Sequence, residues 1–178
     1  MPIRKHRAYA LFGIAWAIAV GLLGCGLGAG VAGPTVLLTD LTLPPGQTGT
    51  LQLKVYYLPG VQVFQVGPAG RLAFDPGVVR VEGLKPANGF ELFAHSVDNA
   101  KGEAVFLLAY PRGSITTGTV LEITVKAVGR FGHRSSVSLT GIDLLADPEG
   151  TPITGYRLRA GRVAVGKELG IPVDRSSR

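Results

Sequence analysis

Along residues 48–57 apolar and polar side chains alternate, Leu51, Leu53, Val55 and Tyr57 against Gln52, Lys54 and Tyr56. That period of two is the signature of a strand with one buried face, and it predicts Tyr57 pointing inward and Tyr56 outward. Similar runs follow at 35–43, 61–74, 78–84, 90–97, 103–110, 119–128, 136–142 and 157–165, about nine strands in all, with no helical period after Pro34. Turn chemistry separates them: Pro44-Pro45-Gly46, Asn88-Gly89 with the positive φ a tight turn needs, and the loops 129–132 and 147–155. Within 61–74 the segment Gly67-Pro68-Ala69-Gly70 reads as a bulge or short insertion in an otherwise paired strand. Short strands with frequent turns predict an all-β sandwich of jelly-roll topology.

Two local patterns sharpen this picture. Phe74-Asp75-Pro76 ends one strand and Val78-Val79 begins the next; the Asp75 side chain can cap the turn while Pro76 fixes the backbone, so the segment is a set corner. Residues 104–109 are apolar without a break, which suits either a central strand covered on both sides or one with an exposed apolar face.

The N-terminus follows different rules. Arg4, Lys5 and Arg7 precede a stretch without charge from 8 to 39, and its strongly apolar part, 8–23, has the composition of an export signal. As a helix of about 1.5 Å per residue it is shorter than a ~30 Å hydrocarbon core, whereas an extension to Val36 spans one, so a cleaved signal and an uncleaved anchor helix both stay open. The single cysteine, Cys25, sits in Leu22-Leu23-Gly24-Cys25-Gly26, which resembles the lipobox of bacterial lipoproteins and implies acylation at Cys25. Several acyl chains would hold the protein at a membrane, at roughly 0.8 kcal/mol per buried methylene. The expected organisation is a signal or anchor at 1–24, a Gly-rich tether at 25–34, the sandwich at 35–165 and a polar tail at 166–178. Without Cys25 the sandwich has no thiol, so packing alone must stabilise it.

Composition narrows the function classes. With 26 Gly, 12 Pro, 46% hydrophobic and 17% charged residues, the chain is neither disordered nor built of helices. The net charge of +6 includes Arg4, Lys5 and Arg7; without them 15 basic residues face 12 acidic ones, a net of +3. Clusters at 130–134 and 157–162 lack interleaved aromatics, so no nucleic-acid partner is expected. His95 and His133 have no convergent ligands in sequence, which argues against a metal, and no cofactor is implied. No Ser, His and Asp pattern forms a nucleophile site, and Glu91, Glu103 and Glu122 lie on separate strands, so an enzyme is not expected. The acid-rich 98–103 reads as a hairpin loop rather than a calcium loop.

The ordered set of patterns resembles the cohesin domain over residues 35–165. The corner from Gly60 to Val81, the hairpin 99–110 into an apolar strand, the strand 118–127 and the turn Asp147-Pro148-Glu149-Gly150 each match a cohesin feature. The resemblance implies a non-catalytic module that binds a protein partner, dockerin-like or another envelope protein, across one sheet face. It places 61–65 and 105–109 on that face, with Val63, Gln65, Leu107 and Ala109 as the candidate partner residues; dockerin-binding cohesins often carry Asn or Asp on the first of these strands. Alternation alone leaves open whether these four are core or surface. A polysaccharide partner is the alternative, for which Tyr56, Tyr110 and Tyr156 are the available stacking groups, and a scaffold role in an envelope lipoprotein is a third. The expected location is the cell envelope, membrane-held through the N-terminus, or secreted.

Overall fold

The computed structural model describes residues 33–167. The expected signal or anchor at 1–24, Cys25, nearly all of the tether and most of the polar tail lie outside them. The described residues form thirteen strands and no helix. They are β1 Thr35–Leu38, β2 Leu41–Leu43, β3 Thr48–Tyr56, β4 Val63–Val66, β5 Leu72–Ala73, β6 Val79–Pro86, β7 Glu91–Asp98, β8 Glu103–Ala109, β9 Gly118–Ala127, β10 Arg134–Leu139, β11 Leu144–Ala146, β12 Arg157–Arg159 and β13 Gly161–Val165.

A five-stranded sheet in the order β12-β1-β3-β9-β6 packs on an eight-stranded one, β11-β4-β8-β5-β10-β13-β2, with β7 added beside β8. Their facing sides supply the core: Leu51, Leu53 and Val55 from β3 and Leu121, Ile123 and Val125 from β9 are fully buried, as are Phe64, Val66 and Leu108 from the other sheet. Phe64 and Phe106 stack there, ring centres 6.0 Å apart. Burying such side chains contributes roughly 1.5–3 kcal/mol each. The all-β sandwich expected from the alternation is therefore what forms.

The strand count differs because several expected strands cross between sheets. Residues 35–43 split at Thr39 and Asp40, with β1 in the first sheet and β2 in the second. Residues 157–165 split in the same manner at Ala160, so β1 pairs in parallel with β12 and β2 in parallel with β13. The two crossings pass so closely that a Cβ at Gly161 would lie 2.3 Å from the Thr39 carbonyl oxygen, which only glycine tolerates. The 67–70 segment likewise separates β4 from β5, although both pair with β8 on the same side. β11 lies between the expected strand 136–142 and the expected turn 147–155, where the alternation predicted no strand.

The Asp75 corner forms as expected. The Asp75 carboxylate accepts the Gly77 N–H at 2.8 Å, and its carbonyl accepts those of Val78 and Val79. Tyr57 is a correction: it is 63% exposed rather than inward. It adopts φ 55° and donates its N–H to Thr117 Oγ1, so the strand has already ended and parity no longer applies. The Asn88-Gly89 turn does show positive φ at both residues, 50° and 87°.

Candidate functional site

β8 is the strand around which the site is built. Ala104, Phe106 and Leu108 are buried in the core, while Val105, Leu107 and Ala109 alternate with them on the outer side and stay half-exposed. The apolar run at 104–109 is therefore a strand with one face in the core and an apolar face left outside. On β4 the same parity buries Phe64 and Val66 and turns Val63 and Gln65 outward. Register then joins the candidates: Val63 pairs with Ala109 and Gln65 with Leu107. All four expected residues thus share one surface.

The neighbours extend it. Leu144 of β11 lies beside Gln65, and on the other side β7 sets Ala94 against Leu107 and Ser96 against Val105. Small residues flanking Val105 and Leu107 leave a shallow trough of about 400 Å³, closed at one end by Gly67 and Pro68. Gly67 has φ 117°, and a Cβ there would sit 2.9 Å from the Val105 Cβ, so glycine is needed for the wall to approach the strand.

That wall is held by a residue the sequence did not single out. The Asp143 carboxylate accepts backbone N–H bonds from Gly67, Ala69 at 3.0 Å and Gly70 at 2.9 Å. The Gly67 bond, above all, keeps this carboxyl below the usual carboxylate range, against a smaller opposing effect of burial. Gln65 adds a bond from its side-chain amide to the Gly67 carbonyl at 2.7 Å. Nothing local marks Asp143, because its partners are more than 70 residues away in sequence.

Beyond Val105 the surface becomes charged, and the charges are paired: Arg71 with Glu103 at 3.1 Å and Lys101 with Asp98 at 3.6 Å. Asp98 also accepts the Ala100 and Lys101 N–H groups, the Lys101 bond lowering its pKa most, so 98–103 is a hairpin loop. Asn99 reaches from that loop to the other sheet. Its amide accepts the Val81 N–H at 2.8 Å and donates to the Val81 carbonyl at 2.9 Å, standing in for a strand where β6 bulges.

The other candidates do not converge. Glu91 and Glu103 lie at opposite ends of β8, roughly 20 Å apart by strand rise, against the 5 to 9 Å a glycosidase pair needs. Glu122 is in the other sheet, 3.7 Å from Lys85. His95 lines the trough with no second ligand near it, and among the described residues no three His, Cys, Asp or Glu are grouped to hold a metal ion. The tyrosines make no platform: Tyr110 tilts against Phe90, Tyr156 packs against the core with its pKa raised by burial, and Tyr56 meets Tyr57.

No family model and no curated protein matches the chain. Solved structures do. One is a chain of a type I cohesin–dockerin complex with the OlpA cohesin from Clostridium thermocellum, at TM-score 0.62, covering 75% of this chain and 99% of that one. This chain has the cohesin fold. A non-cellulosomal cohesin from the hyperthermophilic archaeon Archaeoglobus fulgidus superposes at 0.58 over 75% and 92% of the two chains. The OlpC type I cohesin–dockerin complex from Clostridium thermocellum gives 0.57 over 74% and 94%. Identities to these cohesins are 13%, 15% and 20%, so what they share with this chain is a backbone rather than a surface.

Proposed function

We propose that this chain is a non-catalytic binding module that takes a protein partner on the outer face formed by β11, β4, β8 and β7. The observation that carries it is the apolar trough over Val105 and Leu107. The outer side of an antiparallel sheet is ordinarily polar, and an apolar patch rimmed by charge marks an interaction site. A partner offering an aliphatic or aromatic anchor fills the trough, with Gln65, Ser96 and the paired charges at its rim. Several cohesins of the same fold were solved with dockerins bound, which supports a dockerin-like module or another envelope protein as the partner. The apolar segment 8–23 and Cys25 support export and retention at the cell envelope through the N-terminus.

The test is affinity capture by the full chain from envelope and secreted protein, with Leu107→Asp and Thr50→Asp compared. Leu107 is at the centre of the trough and Thr50 is exposed on the other sheet. A partner kept by Thr50→Asp and lost by Leu107→Asp is the expected result; the reverse pattern refutes the assignment. Retention on insoluble polysaccharide that survives Leu107→Asp would favour the carbohydrate alternative, and an acylated Cys25 in the mass spectrum would establish the lipid anchor.

A further inference from the structure

The outer face of the five-stranded sheet is the chemical opposite of the trough. Register and parity put Arg157 and Arg159 of β12, Lys54 of β3, Lys126 of β9, and Arg80 and Lys85 of β6 on that side, six cations. Only two carboxylates join them, Glu122 and Glu82, the latter accepting the Thr48 hydroxyl at 3.2 Å. Lys85 pairs with Glu122, and among the described residues the other five cations have no carboxylate in ion-pair range. On the eight-stranded sheet, Arg71 and Lys101 beside the trough are both paired, while Arg134 of β10 and Arg162 of β13, farther along the same outer side, are two further cations without a carboxylate in ion-pair range among the described residues. A sheet of five strands, roughly 20 Å across, thus presents cations at both edges and in the middle with little internal neutralisation.

We infer that this basic face is the seat for a bilayer surface bearing anionic phospholipid headgroups. Positive charge spread from edge to edge of the sheet with little neutralisation suits an extended anionic surface. The chain also enters the sheet at the right place: Thr35, where β1 begins, is in register with Arg157. Residues 24–34, which join the apolar 8–23 to β1, span at most about 40 Å when extended. Resting on the proposed N-terminal anchoring, this keeps the sandwich at high effective concentration beside the bilayer. Each cation near an anionic membrane then contributes roughly a fivefold gain in association. Seated in this manner, the sandwich turns its trough away from the membrane, toward a partner.

The experiment uses the full chain with Cys25→Ser, a fluorophore at Thr50→Cys on the basic face or at Ser96→Cys beside the trough, and an energy acceptor on lipid headgroups. Vesicles are phosphatidylcholine alone or phosphatidylcholine with phosphatidylglycerol. Expected is stronger transfer from position 50 than from 96 in the anionic vesicles. That difference should vanish in 1 M salt, where screening acts within about 3 Å, and in Arg157→Glu/Arg159→Glu. Equal transfer from the two positions, or no dependence on phosphatidylglycerol, overturns the inference. So does binding of the face to a soluble acidic polymer without any preference for anionic vesicles. Flotation with phosphatidylcholine alone reports the anchor separately: if it fails while anionic vesicles still float the chain and Arg157→Glu/Arg159→Glu releases it, the basic face stands and the anchoring falls. If neither vesicle floats the chain, the inference falls.

Discussion

Replacing Phe64 by alanine tests the parity on which the site depends. Phe64 is fully buried and stacked on Phe106, while its neighbours Val63 and Gln65 are half-exposed on the outer face. Truncating a buried Phe in a packed core costs about 3–5 kcal/mol, including the lost aromatic contact and the cavity left behind. For a sandwich of this size each kcal/mol shifts Tm by about 3–5 °C, so the variant should melt about 10–20 °C lower. Val63→Ala should cost less than about 1 kcal/mol, and Gln65→Ala about 1 kcal/mol through its bond to the Gly67 carbonyl. The assay is urea denaturation of the full chain followed by circular dichroism at constant slope, with a melting curve beside it. A slip of one residue would exchange the two faces of β4. If Phe64→Ala is tolerated within about 1 kcal/mol while Val63→Ala is severe, Val63 and Gln65 are core and the proposed face does not exist.

Other consequences are open to the same measurements. Asn99→Ala leaves the N–H and carbonyl of the buried Val81 without partners and should cost about 2 kcal/mol, whereas Asn99→Ser should recover part of that. Gly102→Ala combines a φ of 73° with a Cβ placed 2.1 Å from the Phe74 carbonyl oxygen, and a loss of about 2 kcal/mol or more in the denaturation midpoint is expected. Asp143 has its pKa lowered in the folded chain chiefly by the Gly67 N–H, so its stabilising effect is present above the ordinary carboxylate pKa and is lost as pH falls through the lowered folded value. Asp143→Asn should therefore flatten the acid limb of the stability profile, and amide exchange at Gly67, Ala69 and Gly70 should rise in wild type at low pH; unchanged exchange there would show that the carboxylate does not hold the wall.

Local sequence determined the all-β class, the Asp75 corner, the Asn88-Gly89 turn and the alternation on β3, β8 and β9, because each depends on residues within a few positions and on a side-chain period of two. It also separated Val63, Gln65, Leu107 and Ala109 into pairs of common parity. Which side of those strands meets the core was a tertiary decision, since alternation is symmetric until another sheet covers one face. The same holds for the crossings at Asp40 and Ala160, where the terminal strands change sheets in concert and each breaks to stay beside the other. Tyr57 misled because a single residue of positive φ ends parity without disturbing the apolar pattern. Asp143 and Asn99 were invisible for a related reason: their partners are backbone groups on distant strands, and a backbone amide looks the same at every position of a sequence until the fold brings it near.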